Sequence, residues 1–439
     1  MRQLRKYRRN EELSRAEFEA LRLATFRKLV RHANRHSPYY ATVIKDRGIA
    51  IDTCTPADFP VLTKATLMAN FDAIVTDRRV SKQAIAEFLT RSTDPNDLFL
   101  DEFHVIHTSG SSGEIGYFVY SNEDWQRGMA QGMRRRSIRT PRVGFRRLRL
   151  GFYGAIGGHF AAVSMMSAAT QGLSRLLVKV GLYEVNEPLP LIVQQPNEFQ
   201  PDILSGYTSA LTMLAARQRE GALRIKPVFI STGGESMSPA QRALLEQTFG
   251  CPAVSGYGSS EHLMMGISGP GQSTMILLDD DLIYEMREDH SLVTNLFNFT
   301  LPLIRYRMAD ILRPVEGASS RPPYLEIHSI VGRNEESPMF LNRDGVQDFI
   351  SPHTINEIFV AGVTRFQMRL RGPESFQFAV CLDTTLVEAQ RAEAVAGVER
   401  RLREILDQKR MNNVTFEVAV VDDIPVNPRS RKFKLIVAN

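Results

Sequence analysis

Apolar residues early in the chain recur at helical spacing. Phe18, Leu21, Leu29 and Ala33 fall near one face of a single helix, and Ser14 with Glu17 three positions on gives that helix a capping box. Ser37-Pro38-Tyr39-Tyr40 interrupts the pattern. Pro60-Val61-Leu62-Thr63-Lys64 then supplies a stop and a fresh cap, so another helix is predicted to begin near Thr63. From roughly residue 103 onward the period changes. Short apolar runs now lead into glycine turns: Val105-Ile106 before a Ser/Gly loop, Arg149 to Tyr153 before a Gly-rich turn, and Val228-Phe229-Ile230 before Ser231-Thr232-Gly233-Gly234. Helical stretches such as Pro239 to Phe249 follow. Strands that feed turns and then helices predict an α/β sheet, with glycine turns facing a common cleft beyond the carboxyl ends of the strands.

The last quarter reads differently. A strand-like run from Tyr324 to Val331 ends at Gly332-Arg333-Asn334-Glu335-Glu336. Phe366 to Leu370 and Phe376 to Leu382 then read as strands, Leu386 to Lys409 as a charged amphipathic helix, and Val414 to Val421 as another strand. We therefore expect a large α/β unit of mixed sheets and helices over residues 1–333 and a small α+β unit over residues 334–439. A length of 439 residues favours more than one domain, and 43% hydrophobic residues suffice for a sizeable core.

Composition narrows the function classes. A net charge of +5 suits anionic ligands such as nucleotides and is small for a nucleic-acid binder of this length; no aromatic-basic reader module is present, and no nucleic-acid partner is expected. Cys54, Cys251 and Cys381 lie far apart without a C-x-x-C pair, which argues against a disulfide framework or a cysteine zinc site and suits a reducing compartment. The basic stretch Met1 to Asn10 lacks the apolar segment of a secretory signal, and no uninterrupted apolar run approaches the roughly 20 residues of a membrane span. A cytoplasmic protein without a membrane partner is expected, as a monomer or homodimer.

Four short segments carry candidate chemistry. In Thr108-Ser109-Gly110-Ser111-Ser112-Gly113, glycines let backbone N–H groups converge on phosphate oxygens and the hydroxyls add donors; a surface turn is the other reading. It has neither the Lys-Ser/Thr of a Walker loop nor the spacing of a serine-hydrolase elbow. In Tyr257-Gly258-Ser259-Ser260-Glu261, a carboxylate after a small-residue turn can hold magnesium, or can be a first-turn acid of an ordinary helix. In Arg305 to Asp310, the aspartate after a strand can accept hydrogen bonds from both ribose hydroxyls, or join a surface ion pair. Near the end, Asn427 to Lys434 is either a mobile loop whose lysine reaches a carboxylate and an α-phosphate together, or a solvated basic tail.

Taken in order, these segments resemble the adenylate-forming superfamily of acyl-CoA synthetases, luciferases and peptide-synthetase adenylation domains. The resemblance is to the branch of phenylacetate–CoA ligase and the coenzyme-F390 synthetase that adenylylates a deazaflavin. It runs over essentially the whole chain: Ser37 to Tyr40, Pro60 to Lys64, the Ser/Gly loop, Gly233-Gly234-Glu235, Tyr257 to Glu261, Ile304 to Asp310, Gly332-Arg333 and Lys432. It implies a large adenylate-forming domain and a small C-terminal lid with a hinge near Asn334 to Glu336. It implies ATP as substrate, with Thr108 to Gly113, Gly233 to Glu235, Tyr257, Gly258, Ser260, Asp310 and Arg333 around the nucleotide. Glu261 would bind Mg2+, and Lys432 would assist adenylation before the lid rotates to build a thioester-forming site. Tyr153 and the turn Gly154 to His159, Gly157 and His159 included, resemble the segment lining the acid and pantetheine passage, with Tyr257 beside it. The branch and the aromatic Tyr153 and Tyr257 point to an aryl or arylacetic acid.

The expected activity is ATP-dependent activation of a carboxylic acid to acyl-AMP, then transfer to a thiol of coenzyme A or a carrier protein's phosphopantetheine. Adenylation followed by amide formation, or adenylyl transfer to a hydroxyl, stays open. Glu114 stands where the phosphate loop of the superfamily usually carries lysine, which also leaves open a degenerate nucleotide-binding regulator. Met308-Ala309 replaces Thr-Gly, Glu335-Glu336 replaces paired aspartates, and Arg431 replaces the glycine before Lys432, so Lys434 competes for that role. Eight arginines between Arg134 and Arg149 either receive the phosphates of coenzyme A or an acidic carrier protein, or form a solvated face.

Overall fold

A computed structural model of the chain describes residues 2–108, 115–133, 146–168, 170, 174–317, 323–328, 338–350, 352–356, 358, 360, 362–424 and 435–438. Ser109, Gly110, Ser111, Ser112, Gly113, Glu114, Arg333, Arg431, Lys432 and Lys434 lie outside the described residues, as do the arginines between 134 and 142 and the expected hinge at 334–336.

The helix predicted from Ser14 spans Arg15–His36, and both halves of its capping box form. Its buried face is Phe18, Phe26, Leu29, Val30 and Ala33, together with Arg22. Leu21, expected on that face, is 37% exposed. The correction has an electrostatic cause. Arg22 Nη1 lies 2.9 Å from Oδ2 of Asp279, and both side chains are buried. The preceding helix, Arg2–Asn10, read in the sequence only as a basic stretch, docks on the same acidic turn. Lys6 Nζ donates to Asp281 Oδ1 at 2.9 Å, Tyr7 Oη to Asp281 Oδ2 at 2.6 Å and Asn10 Nδ2 to Asp280 Oδ1 at 2.6 Å. Three buried acids are thus compensated by cations and polar donors from the first two helices, as burial of charge requires.

Ser37 turns the corner between two helices. Its N–H donates to Ala33 O at 2.8 Å, and its hydroxyl accepts from Tyr40 N to cap Pro38–Arg47. Thr63 caps the helix Lys64–Ala69 as expected.

The strands begin with an antiparallel hairpin, β1 (Phe103–His107) and β2 (Tyr117–Ser121). The Ser/Gly loop therefore joins two strands, whereas the sequence suggested a strand leading to a helix. The main sheet draws on β3 (Leu148–Gly154), β4 (Val178–Glu184), β5 (Ile203–Tyr207), β6 (Phe229–Gly233), β7 (Ala253–Ser259), β8 (Leu263–Ser268) and β9 (Thr274–Leu277). A three-stranded antiparallel sheet follows, of β10 (Leu282–Met286), β11 (Ser291–Asn295) and β12 (Tyr306–Met308). β13 (Glu326–His328) completes the main sheet in the order β13-β9-β8-β7-β6-β5-β3-β4. β4, β3, β5, β6 and β7 run parallel, so their carboxyl ends share one rim. The other strands of that sheet pair antiparallel.

A hairpin that the sequence did not suggest, β14 (Met339–Leu341) with β15 (Gln347–Phe349), precedes a four-stranded sheet. That sheet holds β16 (Val363–Gly372), β17 (Ser375–Leu382), β18 (Thr415–Val420) and β19 (Ile436–Ala438) in the order β18-β17-β16-β19. Ala394, Val398, Leu402, Ile405 and Leu406 of the helix Glu388–Gln408 pack on it, forming a core separate from those of the large sheet. This is the small α+β unit expected from the sequence.

Candidate active site

Distant segments converge beside the β1–β2 hairpin. Leu62 N–H donates to Arg305 O at 3.1 Å and Arg307 N–H to Leu62 O at 2.9 Å, a parallel bridge that staples Pro60 to Lys64 alongside β12. The bridge brings Lys64 to the mouth of the Ser/Gly loop. Its Nζ donates to Thr108 Oγ1 at 3.1 Å. The same oxygen accepts from Gly116 N–H at 2.8 Å, and Thr108 N–H donates to Gly116 O at 3.0 Å, so the loop is pinched shut at its base. Gly116 lets the chain pass close by: a Cβ there would stand 3.0 Å from Lys64 Cε and from the Phe118 ring, tighter than ordinary contact.

The second wall is the turn between β7 and β8. Glu261 sits at a hairpin tip here, not in a helix. The register shifts between Tyr257 and Gly258, and a Cβ on Gly258 would lie 2.8 Å from Leu263 O, which explains a glycine in this position. Ser260 is tied to the first hairpin: its carbonyl accepts from Tyr120 Oη at 2.7 Å and its hydroxyl donates to His107 O at 3.4 Å. Tyr257 Oη donates to Asp310 Oδ2 at 2.8 Å, and Tyr306 Oη to Glu261 Oε1 at 3.4 Å. Asp310 follows β12 by two residues, as its motif suggested.

Desolvation holds the Glu261 carboxyl above the ordinary carboxylate range; the charge of Asp310 pushes the same way and that of Lys64 opposes it. Burial likewise raises the Tyr257 phenol, with Asp310 adding to the effect. Two acids and two phenols in a poorly hydrated corner favour an incoming cation. Among the described residues no group of three or more His, Cys, Asp or Glu forms a protein cage for a metal. One carboxylate beside the Ser/Gly loop suits the needs of Mg2+, which is commonly held by one or two carboxylates and completed by substrate phosphates.

The glycine turn Gly233-Gly234-Glu235 lies on the shared rim. Gly234 has φ +75°, open to glycine, and approaches the Tyr207 ring. The Glu235 carboxylate is committed elsewhere, accepting from Ser209 N–H at 2.7 Å and Ser209 Oγ at 2.9 Å in the first turn of the helix Thr208–Arg219. Tyr153 is fully buried, donates to Ile192 O at 2.9 Å and stacks on Tyr183. His159 is buried against Phe88 and shares a 3.0 Å hydrogen bond with Ser92 Oγ; burial and the nearby His107 lower its pKa, favouring the neutral ring. Both side chains thus have packing partners, while Gly157 is exposed on the turn. Arg146, from the arginine run, makes a bidentate pair with Asp202 at 2.5 and 2.7 Å.

No family model matches the chain. A curated relative, Protein CapK of Staphylococcus aureus, is 23% identical over 327 residues, 71% of this chain and 67% of that protein. Among solved structures, 2-hydroxyisobutyryl-CoA ligase with 2-HIB-AMP and CoA in the thioesterification state has a TM-score of 0.57 at 18% identity, covering 97% of this chain and 90% of that one. The same ligase in the postadenylation state with R3-HIB-AMP has a TM-score of 0.56 at 18% identity, covering 98% and 91%. The chain has the adenylate-forming ligase fold.

Within that fold, Lys64 is the residue that sequence reasoning passed over. Pro60 to Lys64 stood out as a motif, but nothing local indicated that its lysine would meet Thr108, 44 positions away. The available signal was the missing loop lysine at Glu114, which called for a cation from elsewhere. No helix among the described residues is long and apolar enough to cross a membrane.

Proposed function

We propose that this chain activates a carboxylic acid with ATP, forming acyl-AMP and pyrophosphate, and passes the acyl group to the thiol of coenzyme A or of a carrier protein's phosphopantetheine. The observation that carries this reading is the meeting of Lys64, Thr108, Glu261, Tyr257 and Asp310 at one place from four separated segments. Lys64 and Thr108 present a cation and a hydroxyl to the phosphates, and Asp310, oriented by Tyr257, accepts from the ribose hydroxyls. Glu261 holds Mg2+, which when bound neutralises phosphate charge. Lys64 fills the need that Glu114 leaves, which favours an active enzyme over a degenerate nucleotide-binding protein.

In the first step a carboxylate oxygen attacks the α-phosphorus and the bond to pyrophosphate breaks. In the second, the thiol sulfur attacks the acyl carbon, losing its proton, and AMP departs. We assign Lys432 to the first step and residues 334–439 to a lid that repositions between the two. The solved 2-hydroxyisobutyryl-CoA ligase, described in postadenylation, open and thioesterification states with its acyl-AMP and CoA, supports a two-step reading. The test is acid-dependent exchange of labelled pyrophosphate into ATP across a panel of aryl, arylacetic and short hydroxy acids. Exchange with none of them, while the folded protein binds ATP, would remove the proposal.

A further inference from the structure

Two hydrophobic cores meet at the β14–β15 hairpin. Met339 and Phe349 pack on the core of the large domain around Tyr153, Tyr183 and Leu204, whereas Phe340 and Ile350 belong to the core of the small domain with Phe366, Met368 and Leu402. At this seam lies an ion pair with neither side chain exposed: Lys409 Nζ is 3.3 Å from Asp348 Oδ1. Asp348 Oδ2 accepts from Leu189 N–H at 2.9 Å, and Lys409 Nζ donates to Glu187 O at 3.0 Å. The ammonium also stands 4.5 Å from the Phe349 ring centroid. Beside them Thr354 Oγ1 donates to Asn186 Oδ1 at 2.7 Å.

The arrangement is asymmetric. Both charges come from the small domain, Asp348 from the hairpin and Lys409 from the C-cap of the helix Glu388–Gln408. The large domain's hydrogen-bond partners for the pair are neutral backbone groups of the turn after β4, at the start of the helix Leu189–Phe199. The carboxylates of Glu184 and Glu187 also attract the ammonium, but its dehydration outweighs them and lowers the Lys409 pKa. When the domains separate, the two charges return to water together and can remain paired. When they dock, both must be dehydrated. Attraction within a buried pair often fails to repay that cost, so an apolar pair of the same shape commonly holds as well or better.

We propose that the Asp348–Lys409 pair is a release device: its directed hydrogen bonds set the small domain in register on the Asn186–Leu189 turn, and its dehydration cost keeps that docked arrangement reversible. The proposal rests on the two-step reading above, because only a domain that has to leave benefits from a weakened seam. An apolar seam built from Met339 and Phe349 alone would dock without register and without release.

The test is a distance measurement on the substrate-free, full-length protein. Spin labels are placed at two exposed positions, Gln194→Cys on the large domain and Arg403→Cys on the small one; the three native cysteines are buried. The double variant Asp348→Leu/Lys409→Met should raise the ratio of docked to undocked distances by about tenfold over wild type. Lys409→Met alone strands a buried carboxylate and should lower that ratio by about tenfold or more. A double variant that undocks relative to wild type would show the pair to be glue and overturn the proposal, and so would distributions unchanged among the three proteins. If the single variant does not fold, wild type against the double variant still decides the sign. Distances that respond as stated while no acid supports pyrophosphate exchange leave the device standing and remove the proposed function; exchange with unresponsive distances removes the device alone.

Discussion

Replacing Lys64 with methionine keeps the length of the side chain and removes its charge. Thr108 Oγ1 would still accept from Gly116 N–H at 2.8 Å, so the base of the Ser/Gly loop stays closed. Losing the 3.1 Å bond from Lys64 should cost only about 0.5–1.5 kcal/mol of stability. The cost in rate is much larger if the ammonium faces phosphate in the transition state, where removing one aligned donor costs roughly 10²–10³. Single-turnover formation of acyl-AMP, followed by quenched flow, measures this. A second signature separates electrostatics from packing. Glu261 must be ionised to hold Mg2+, so its protonation sets an acid limb on activity. Lys64 is among the groups that lower the Glu261 pKa against desolvation. Removing its charge raises that pKa further, so the acid limb of kcat/KM should move to higher pH. Lys64→Arg should restore the limb, since the charge returns, but only part of the rate, since a planar fork replaces a compact ammonium. If Lys64→Met adenylates within twofold of wild type and its acid limb does not move, Lys64 is merely a strut for Thr108 and the phosphate cation lies elsewhere.

Glu261→Gln should raise the Mg2+ concentration needed for half-maximal pyrophosphate exchange, and Asp310→Ala the KM for ATP by about tenfold, the loss of ribose hydrogen bonds; wild-type titrations for both variants would place the nucleotide elsewhere. Lys432→Ala should slow acyl-AMP formation by about 10²–10³ while sparing thioester formation from synthetic acyl-AMP, with Lys434→Ala as the control. Should Lys434→Ala be the damaging change, Arg431 has shifted the register of this loop. Arg22→Leu should lower the free energy of unfolding by about 3–5 kcal/mol, because Asp279 would be left buried without its closest cation; a urea midpoint like that of wild type would contradict this.

Local rules were enough for several elements. The box at Ser14 and Glu17, the cap at Thr63 and the helix beginning at Pro239 depend on neighbours within a turn, and each stands where its residues indicate. The burial of Arg22 and the exposure of Leu21 were not legible, since the deciding partner is 257 residues away. Lys64 was hidden for the same reason. The three consecutive aspartates after β9 carry no local sign of burial, and the basic first helices make them an interior feature. Glu235 shows the converse: a motif position pointed to the nucleotide, while its carboxylate serves as an acceptor for the start of the preceding helix, Thr208–Arg219.

The attachment of the first helices to Asp279, Asp280 and Asp281 constrains the timing of synthesis. Arg22 leaves the ribosome 257 residues before the acid that holds it. At roughly 5–20 residues per second, Arg22 waits on the order of 13–50 s for its buried partner, and Phe18 waits longer for the Tyr324 ring it packs against. The two helices therefore dock on the acidic turn only after β9 has formed, although they precede it by more than 200 residues. Chaperone capture during translation should concentrate on that segment and end once the acidic turn has emerged.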